Sequence, residues 1–282
     1  MKYKKIKSHA KLNLALNVTG KNSSLHKIES IIAFIDLHDL IMVKSIKSKK
    51  HIISFNGQFS NNITKKNTVS KLLKVLDQEK LLKNKKFQIK INKRIPTKSG
   101  LGGGSINAAT ILNFFKEKKI IQISEEKLIE ISKLIGSDVA LGLNPTYSIL
   151  SQNNELKYFY GCKSIYTLVV KPNFGCSTKE IYSRVKKFNK PKLNRANKKL
   201  FNLNNLKKMS NDLESIVFLK NPKLKVIKSF LEQSFPKMAF ARITGSGSAL
   251  VAYFQFKNDC ENAKKNFKKK YRNFWCITSK TI

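Results

Sequence analysis

The sequence predicts an α+β fold with two domains, and three observations lead to this prediction. Residues 10–18 alternate apolar and polar side chains, which is typical of a half-buried strand. Residues 68–82 instead repeat apolar side chains at helical spacing. The chain has 282 residues, and strands mix with helices along it, so we expect one domain at 1–163 and a second at 164–282.

Other elements of the first domain follow from the same patterns. Alternation places Lys11 and Asn13 on the polar face of the first strand. Further strands are expected at Asp39–Lys44, His51–Phe55 and Phe87–Ile91. Helices are expected at Thr68–Leu82 with Asn67 or Thr68 as the N-cap, at Ser105–Lys116, and at Ser124–Leu134 with Ser124 opening the helix.

The second domain is expected to begin with a strand at Ser164–Pro172. The run Val185–Lys208 is rich in Lys and Asn and indicates a loop or an exposed helix. Helices are expected at Asn211–Leu219 and Pro222–Gln233. Residues 239–256 indicate two strands around a tight Thr244-Gly245-Ser246-Gly247-Ser248 turn.

The chain is strongly basic, with 56 Lys and Arg against 17 Asp and Glu and a net charge of +39. Only five of the basic residues are arginine, the residue that makes bidentate contacts to phosphates and base edges. The lysines are spread over the whole length, which favours a solvated surface that attracts small polyanions such as nucleotides. We therefore expect no specific nucleic-acid partner, and a basic RNA-binding protein remains the less favoured alternative.

The four cysteines, at positions 162, 176, 260 and 276, lie far apart in sequence and form no Cys-x-x-Cys pair. This spacing is typical of reduced thiols in a cytoplasmic protein and of neither a disulfide framework nor a zinc site. No apolar run approaches the roughly 18 residues that cross a bilayer. We expect a cytoplasmic protein without a membrane partner.

Residues 95–105 carry the clearest chemical signal, because four of the five positions 100–104 are glycine. A glycine run that leads from a strand into a helix points backbone N–H groups and the positive end of the helix dipole at one place, which is typical of a phosphate site. Ser105 supplies a hydroxyl that can reach phosphate or a bound Mg²⁺. Neither Gly-x4-Gly-Lys-Ser/Thr nor Gly-x-Gly-x-x-Gly fits, so a different nucleotide cradle is indicated.

The segment Pro96-x3-Gly100-Leu101-Gly102-Gly103-Gly104-Ser105-x-Asn107-Ala108-Ala109 resembles the ATP-binding motif of the GHMP kinases (galactokinase, homoserine, mevalonate and phosphomevalonate kinases). Two further segments match in order: Ala10-Lys11-Leu12-Asn13-Leu14-x-Leu16 and the turn at 244–248. The resemblance implies a two-domain GHMP kinase-like fold, with an N-terminal ribosomal-protein-S5-domain-2-like domain and a C-terminal ferredoxin-like domain.

The chain is most similar to the branch of this family that acts in the non-mevalonate route to isoprenoid precursors. His26, the segment 34–39 and Gly136-Ser137-Asp138-Val139 carry that similarity. It implies a kinase that uses ATP and Mg²⁺ and phosphorylates a hydroxyl of a cytidine-diphosphate-linked sugar alcohol. A homoserine-type or mevalonate-type kinase remains the alternative within the family, and the oligomeric state stays open.

The resemblance also implies catalytic residues. Asp138 matches the general base, and Lys11 matches its partner, which would offset charge on the phosphoryl oxygens. The ATP-binding positions that it implies are Pro96, Thr97, Lys98, Ser99, Gly100, Leu101, Gly102, Gly103, Gly104, Ser105 and Ile106, with Asn67 beside the adenine. The resemblance implies no set of protein side chains that binds a metal.

For the acceptor, the resemblance implies that His26 hydrogen-bonds the cytosine ring and that Tyr182 stacks on it. Asn13 would lie near the erythritol arm, and Thr178 matches the same segment as Tyr182. Gly245 and Ser246 belong to the turn expected to close over the active site. This chain has Ser23-Ser24-Leu25-His26 where the family usually has Asp-Gly-Tyr-His, so Leu25 would give apolar contact only and Tyr182 would stack alone.

Overall fold

The computed structural model describes residues 2–22, 25–61 and 63–282, so Ser23 and Ser24 lie outside the described residues. The chain forms two compact units that alternate along the sequence. The first unit comprises Met1–Ala10, Leu37–Thr97 and Gly102–Pro145; the second comprises Lys11–Asp36, Lys98–Leu101 and Thr146–Ile282. The expected division at residue 163 stays a prediction, because compact units assembled from several segments do not test a single boundary in sequence.

Two long paired strands, β1 (Lys4–Lys21) and β2 (His26–Ile46), run through both units. The other elements of the first unit are β3 (Ile52–Asn56), α1 (Thr68–Gln78), β4 (Lys86–Asn92), α2 (Gly103–Glu117), α3 (Glu125–Ile135) and a 3-10 helix at Ala140–Leu143. The part of β2 from Leu40 to Ile46 pairs antiparallel with β4, and β4 pairs parallel with β3. The apolar faces of α1, α2 and α3 form one core with these strands.

The helix caps of the first unit follow the sequence. Asn67 caps α1: its side chain accepts hydrogen bonds from Val69 N–H and Ser70 N–H, and Ser70 completes a capping box. Ser124 caps α3 by accepting from Lys127 N–H. Both expected caps are confirmed.

The second unit contains a four-stranded antiparallel sheet in the order β10-β7-β9-β8. Its elements are β5 (Tyr147–Leu150), β6 (Leu156–Phe159), β7 (Tyr166–Lys171), α4 (Thr178–Ser183), α5 (Leu203–Lys207), α6 (Glu214–Lys220), α7 (Pro222–Ser234), β8 (Met238–Ile243), β9 (Leu250–Phe254), α8 (Lys257–Lys270) and β10 (Trp275–Lys280). Residues 30–32 of β2 pair antiparallel with β5, which pairs with β6. Apolar side chains of the four-stranded sheet, α4 and α6 to α8 form the core.

The segment between α4 and α6 is mostly irregular, with a 3-10 helix at Lys198–Phe201 and the short α5. This agrees with the loop or exposed helix expected at Val185–Lys208. The two strands expected around the 244–248 turn are β8 and β9. Among the described residues, no helix combines the length and the apolar character needed to cross a membrane.

Candidate active site

The glycine loop connects β4 to α2 through two glycines with a left-handed backbone. Gly100 and Gly102 have φ of +77° and +71°, a left-handed backbone that residues with a Cβ atom rarely adopt. Gly102 is the N-cap of α2, and the N–H of Ile106 makes a hydrogen bond of 2.9 Å to its carbonyl. The N–H groups of residues 103–105 therefore precede the hydrogen-bonded ladder of α2, as an anion-binding helix start requires.

Within the first unit, the start of α2 is packed too tightly for larger residues. A Cβ atom on Gly103 would lie 2.9 Å from Ile95 Cγ2 and 3.2 Å from Lys93 Nζ. The Thr68 hydroxyl donates a 2.7 Å hydrogen bond to the Gly104 carbonyl, which ties α2 to the first residue of α1. Ser105 is half-buried and Ile106 is buried. This packing fixes the direction of the first turn of α2.

A buried polar network under the loop was missed by the sequence analysis. The Asp39 carboxylate accepts hydrogen bonds from the backbone N–H groups of Arg94 and Ile95, each at 2.8 Å. It also accepts from Asn107 Nδ2 at 2.9 Å and forms an ion pair with Lys93. Asp39 and Asn107 stand within segments that match the family, but the sequence gives no sign that they contact each other. The network holds the start of the loop against α2.

In the second unit, the first residues of the glycine loop contact both β1 and the 244–248 turn. The Leu101 carbonyl accepts from Lys11 N–H at 3.1 Å, and the Ser99 carbonyl accepts from Ala249 N–H at 3.0 Å. The Thr244 hydroxyl donates to the Gly100 carbonyl at 3.4 Å. The three segments that carry the family resemblance thus meet at residues 98–101.

Lys11 and Asn13 lie next to each other on β1, and both are buried, with 4% and 3% of their surface exposed. Lys11 Nζ donates to Asn13 Oδ1 at 2.5 Å. Asn13 Nδ2 donates to the Ser30 hydroxyl at 2.8 Å, and Asn13 N–H donates to the Thr244 hydroxyl at 2.9 Å. The side-chain amide of Asn13 therefore orients the Lys11 ammonium, and its backbone N–H contacts the turn.

The 244–248 turn is held by side chains from other parts of the second unit. Asn211 Nδ2 donates to the carbonyls of Ile243 and Gly245, each at 2.8 Å. The hydroxyls of Thr178 and Ser246 are 2.9 Å apart, which connects the turn to the start of α4. Gly245 has a φ of +53°, so its place in the turn favours glycine. The structure therefore brings Thr178 and Ser246 together through their hydroxyls.

His26 and Tyr182 form an aromatic pair in the second unit, with ring centroids 5.1 Å apart. Tyr182 also packs partly against the core of that unit. Burial, and then the positive charge of Lys21, lower the pKa of His26 below its ordinary value, so the ring is neutral at pH 7 and offers one donor and one acceptor. The neighbouring Leu25 has 65% of its surface exposed.

Asp138 and Asn67 both lie in the first unit. Asp138 is half-buried and shortly precedes the 3-10 helix. Gly142 of that helix packs closely against α2, since a Cβ atom on Gly142 would be 2.7 Å from Ala109 Cβ and 3.0 Å from Ile106 Cδ1. The Asn67 amide is engaged in capping α1 and in donating to the Thr64 and Lys65 carbonyls. Its place beside adenine, and the partnership of Lys11 with Asp138, stay predictions.

The remaining expected ATP-binding positions belong to the loop between β4 and α2. Ser99 and Leu101 are buried, and Pro96 is buried beside the exposed Thr97. Lys98 is exposed, has a φ of +49°, and accepts through its carbonyl from Cys176 N–H at 3.2 Å. Contact of these residues with ATP stays a prediction.

Comparison with known proteins tests the family resemblance. The model of the GHMP kinases N terminal domain matches residues 67–151. A 4-diphosphocytidyl-2-C-methyl-D-erythritol kinase of Pelagibacter ubique is 55% identical over 278 residues, covering 99% of each chain.

Two solved structures share the fold. One, a 4-(cytidine 5'-diphospho)-2C-methyl-D-erythritol kinase, has a TM-score of 0.79 at 21% identity and covers 98% of this chain and 99% of its own. The other, a homoserine kinase from Cytophaga hutchinsonii, has a TM-score of 0.72 at 14% identity and covers 100% and 95%. The expected α+β, two-domain GHMP kinase fold is confirmed. The chain is a kinase that belongs to the GHMP family, in the group of 4-diphosphocytidyl-2-C-methyl-D-erythritol kinases.

Proposed function

We propose that this chain transfers the γ-phosphoryl group of ATP to the 2-hydroxyl of 4-diphosphocytidyl-2-C-methyl-D-erythritol, a step in the non-mevalonate route to isoprenoid precursors. The name of the relative from Pelagibacter ubique, at 55% identity over the whole chain, supports this acceptor. The structural observation that carries the proposal is the meeting of Asn13, Thr244 and Gly100. The Thr244 hydroxyl accepts from Asn13 N–H and donates to the Gly100 carbonyl, so hydrogen bonds connect the three segments that carry the family resemblance.

The phosphates of ATP would be held by the glycine loop. The N–H groups of residues 103–105 and the positive end of the α2 dipole favour a negatively charged group at this helix start. Gly100 and Gly102 adopt a left-handed backbone and carry no Cβ atom, which supports close approach of a ligand to the main chain. A Cβ atom at Gly103 would lie 2.9 Å from Ile95 Cγ2, so a side chain there would disturb the loop.

Mg²⁺ would be held by the ATP phosphates together with the Ser105 hydroxyl. This donor set fits the ion, because Mg²⁺ prefers oxygen ligands and keeps several of its waters. Ser105 lies half-buried in the first turn of α2. When bound, Mg²⁺ neutralises charge on the phosphates.

We assign to Asp138 the acceptance of the proton from the attacking 2-hydroxyl, whose oxygen then forms the new bond to the γ-phosphorus while the bond to the ADP oxygen breaks. Lys11 offsets the negative charge on the transferred phosphoryl oxygens. The hydrogen bond from Lys11 Nζ to Asn13 restricts the lysine side chain and so supports a fixed position for its charge.

At the cytidine end, a neutral His26 would both donate to and accept from the cytosine ring, and the Tyr182 ring would stack on it. Leu25 adds apolar contact. Asn13 would lie beside the erythritol arm, and Thr178, Gly245 and Ser246 would line the acceptor side of the closing turn.

The proposal includes a cytoplasmic location and no specific nucleic-acid partner. All four cysteines are free, as in a reducing compartment. The positive surface would instead raise the encounter rate with the two anionic substrates.

An ADP-release assay with four parallel reactions tests the function: the cytidyl acceptor, homoserine, mevalonate, and no acceptor, each with ATP and Mg²⁺. We expect rapid ADP release with the cytidyl acceptor and only background release in the other three. Faster release with homoserine or mevalonate would assign the chain to another kinase of the family. Equal release in all four reactions would overturn the proposal.

A further inference from the structure

A second aromatic ring lies beside His26 in the second unit. The Phe188 ring centroid is 6.3 Å from that of His26, with the ring planes 52° apart. His26 therefore contacts both Tyr182 and Phe188. Phe188 has 47% of its surface exposed, although it is one of the largest apolar side chains. An exposed aromatic ring adjacent to a neutral imidazole suits a flat, unsaturated ligand with polar edges.

The backbone around Phe188 is held in place although the segment is irregular. The next residue, Asn189, donates its N–H to the Val18 carbonyl on β1 at 2.9 Å. A few residues on, Lys192 N–H and Leu193 N–H donate to the carboxylate of Glu29 on β2, at 2.8 and 3.0 Å. Because Glu29 is completely buried, its carboxylate needs hydrogen-bond donors from the protein, and these two N–H groups supply them.

These hydrogen bonds distinguish Phe188 from an exposed apolar residue on a segment that nothing holds in place. A side chain on a free loop would move away from His26. Here the backbone N–H groups of the segment bond the Val18 carbonyl on β1 and the Glu29 carboxylate on β2, which fixes the segment next to the strand that begins at His26. Ordering an exposed apolar ring leaves its surface in water unless a ligand covers it. The ring is thus prepared in advance for contact with a ligand.

We propose that Phe188 is a specificity-determining residue of the acceptor site, which packs its ring against the pyrimidine of the cytidine group together with Tyr182. This inference rests on the proposed function and deepens it. It replaces the expectation that Tyr182 stacks alone. Because Phe188 contacts the base and not the reacting hydroxyl, it contributes to binding of the acceptor and leaves the phosphoryl transfer step unchanged.

Steady-state kinetics of four variants test this role: Phe188→Ala, Phe188→Leu, Phe188→Tyr and, as the control, Phe256→Ala. Phe256 is also exposed, at 59%, and belongs to the second unit just before α8. Loss of one stacking contact is expected to raise KM for the cytidyl acceptor about 5- to 100-fold in Phe188→Ala. Phe188→Leu, which keeps apolar volume without a ring, should lose most of this binding, and Phe188→Tyr should restore it.

In every variant, KM for ATP should stay at the wild-type value, and Phe256→Ala should match wild type throughout. Equilibrium dialysis with CDP gives a second readout, in which Phe188→Ala should bind CDP more weakly by a similar factor. An acceptor KM in Phe188→Ala or Phe188→Leu within twofold of wild type overturns the inference while the proposed function stands. A wild-type protein that neither phosphorylates the cytidyl acceptor nor binds CDP overturns both.

Discussion

The Thr244 carbonyl oxygen lies so close to Gly100 that a Cβ atom on this glycine would overlap it. The same Thr244 donates its hydroxyl to the Gly100 carbonyl and accepts from Asn13 N–H. Gly100 and Thr244 are far apart in sequence, and both belong to the second unit. The closing turn and the start of the glycine loop are therefore mutually dependent.

Gly100→Ala should disrupt this contact. The substitution forces a Cβ atom into the Thr244 carbonyl and places alanine at a φ of +77°, so we expect the free energy of unfolding to fall by about 2–4 kcal/mol. KM for ATP should rise as well, because the loop would shift. Urea unfolding and steady-state kinetics measure the two effects.

Gly20→Ala is the matched control, because its Cβ atom would meet only the Lys27 side chain, at ordinary distances of 3.6 and 3.9 Å. We expect its free energy of unfolding to stay within about 0.5 kcal/mol of wild type. If both variants unfold at the same urea concentration, the tight packing of Gly100 against Thr244 is contradicted.

Asp138→Asn should lower kcat by at least about 100-fold, since the amide cannot accept the proton of the attacking hydroxyl. ATP binding, measured by equilibrium titration, should be unchanged. Asp259→Asn serves as the control, because Asp259 lies on α8 and pairs with the exposed Lys237. Near-normal turnover of Asp138→Asn would remove Asp138 from the catalytic role.

Asp39→Asn should destabilise the protein strongly. The change leaves the buried Lys93 without its negative partner and replaces the oxygen that accepts from Lys93 and Asn107 with an NH₂ donor, so we expect a loss of about 3–5 kcal/mol in the free energy of unfolding. Lys237→Gln, which removes a surface ion pair, should unfold like wild type. Wild-type stability in Asp39→Asn would show that the network does not support the loop.

The free energy of unfolding should fall as pH drops below 6.5, in part because of His51. Burial lowers the pKa of His51 below its ordinary value of 6.5, against the opposing effect of Asp77. Its Nδ1 accepts from Phe87 N–H at 3.0 Å, so protonation of that nitrogen breaks a hydrogen bond of the fold. The unfolded chain therefore binds the proton more tightly, and stability is full above pH 6.5 and declines below it.

Urea unfolding of wild type and His51→Gln between pH 5 and 8 measures this contribution. His51→Gln should show a smaller decline on acidification than wild type. An equal decline in the two proteins would exclude His51 as a source of the pH dependence.

Helix α1 shows what the sequence determines locally. Val69, Leu72, Leu73 and Leu76 are buried, as their spacing predicts. The helix ends at Gln78 instead of the expected Leu82, because Lys80 adopts a left-handed backbone. Leu82 is buried all the same, so its apolar character alone could not distinguish a helix residue from a turn residue.

The first half of β2 and the whole of α8 are among the elements that the sequence patterns did not predict, and the reasons are opposite. In β2, residues 31–35 are completely buried, so no alternation marks them as strand. In α8, Cys260, Ala263 and Phe267 form a buried face at helical spacing, but the many lysines around them mask the pattern.

The candidate site was predictable in its loop and not in its contacts. A glycine run before a helix predicts a phosphate-binding loop, and about a dozen residues of sequence are enough to recognise it. The hydrogen bond between Asn13 and Thr244, by contrast, joins positions 231 residues apart, and periodicity contains no information about such a pair. The same holds for Asp39 with Lys93 and Asn107, which only the folded chain brings together.

Phosphorus NMR of the reaction mixture tests the central claim most directly. After incubation of the protein with ATP, Mg²⁺ and the cytidyl acceptor, we expect ADP and a new phosphate monoester signal in equal amounts, with the diphosphate of the acceptor intact. A spectrum with ADP and inorganic phosphate alone, or with unchanged ATP, would contradict transfer to the acceptor hydroxyl.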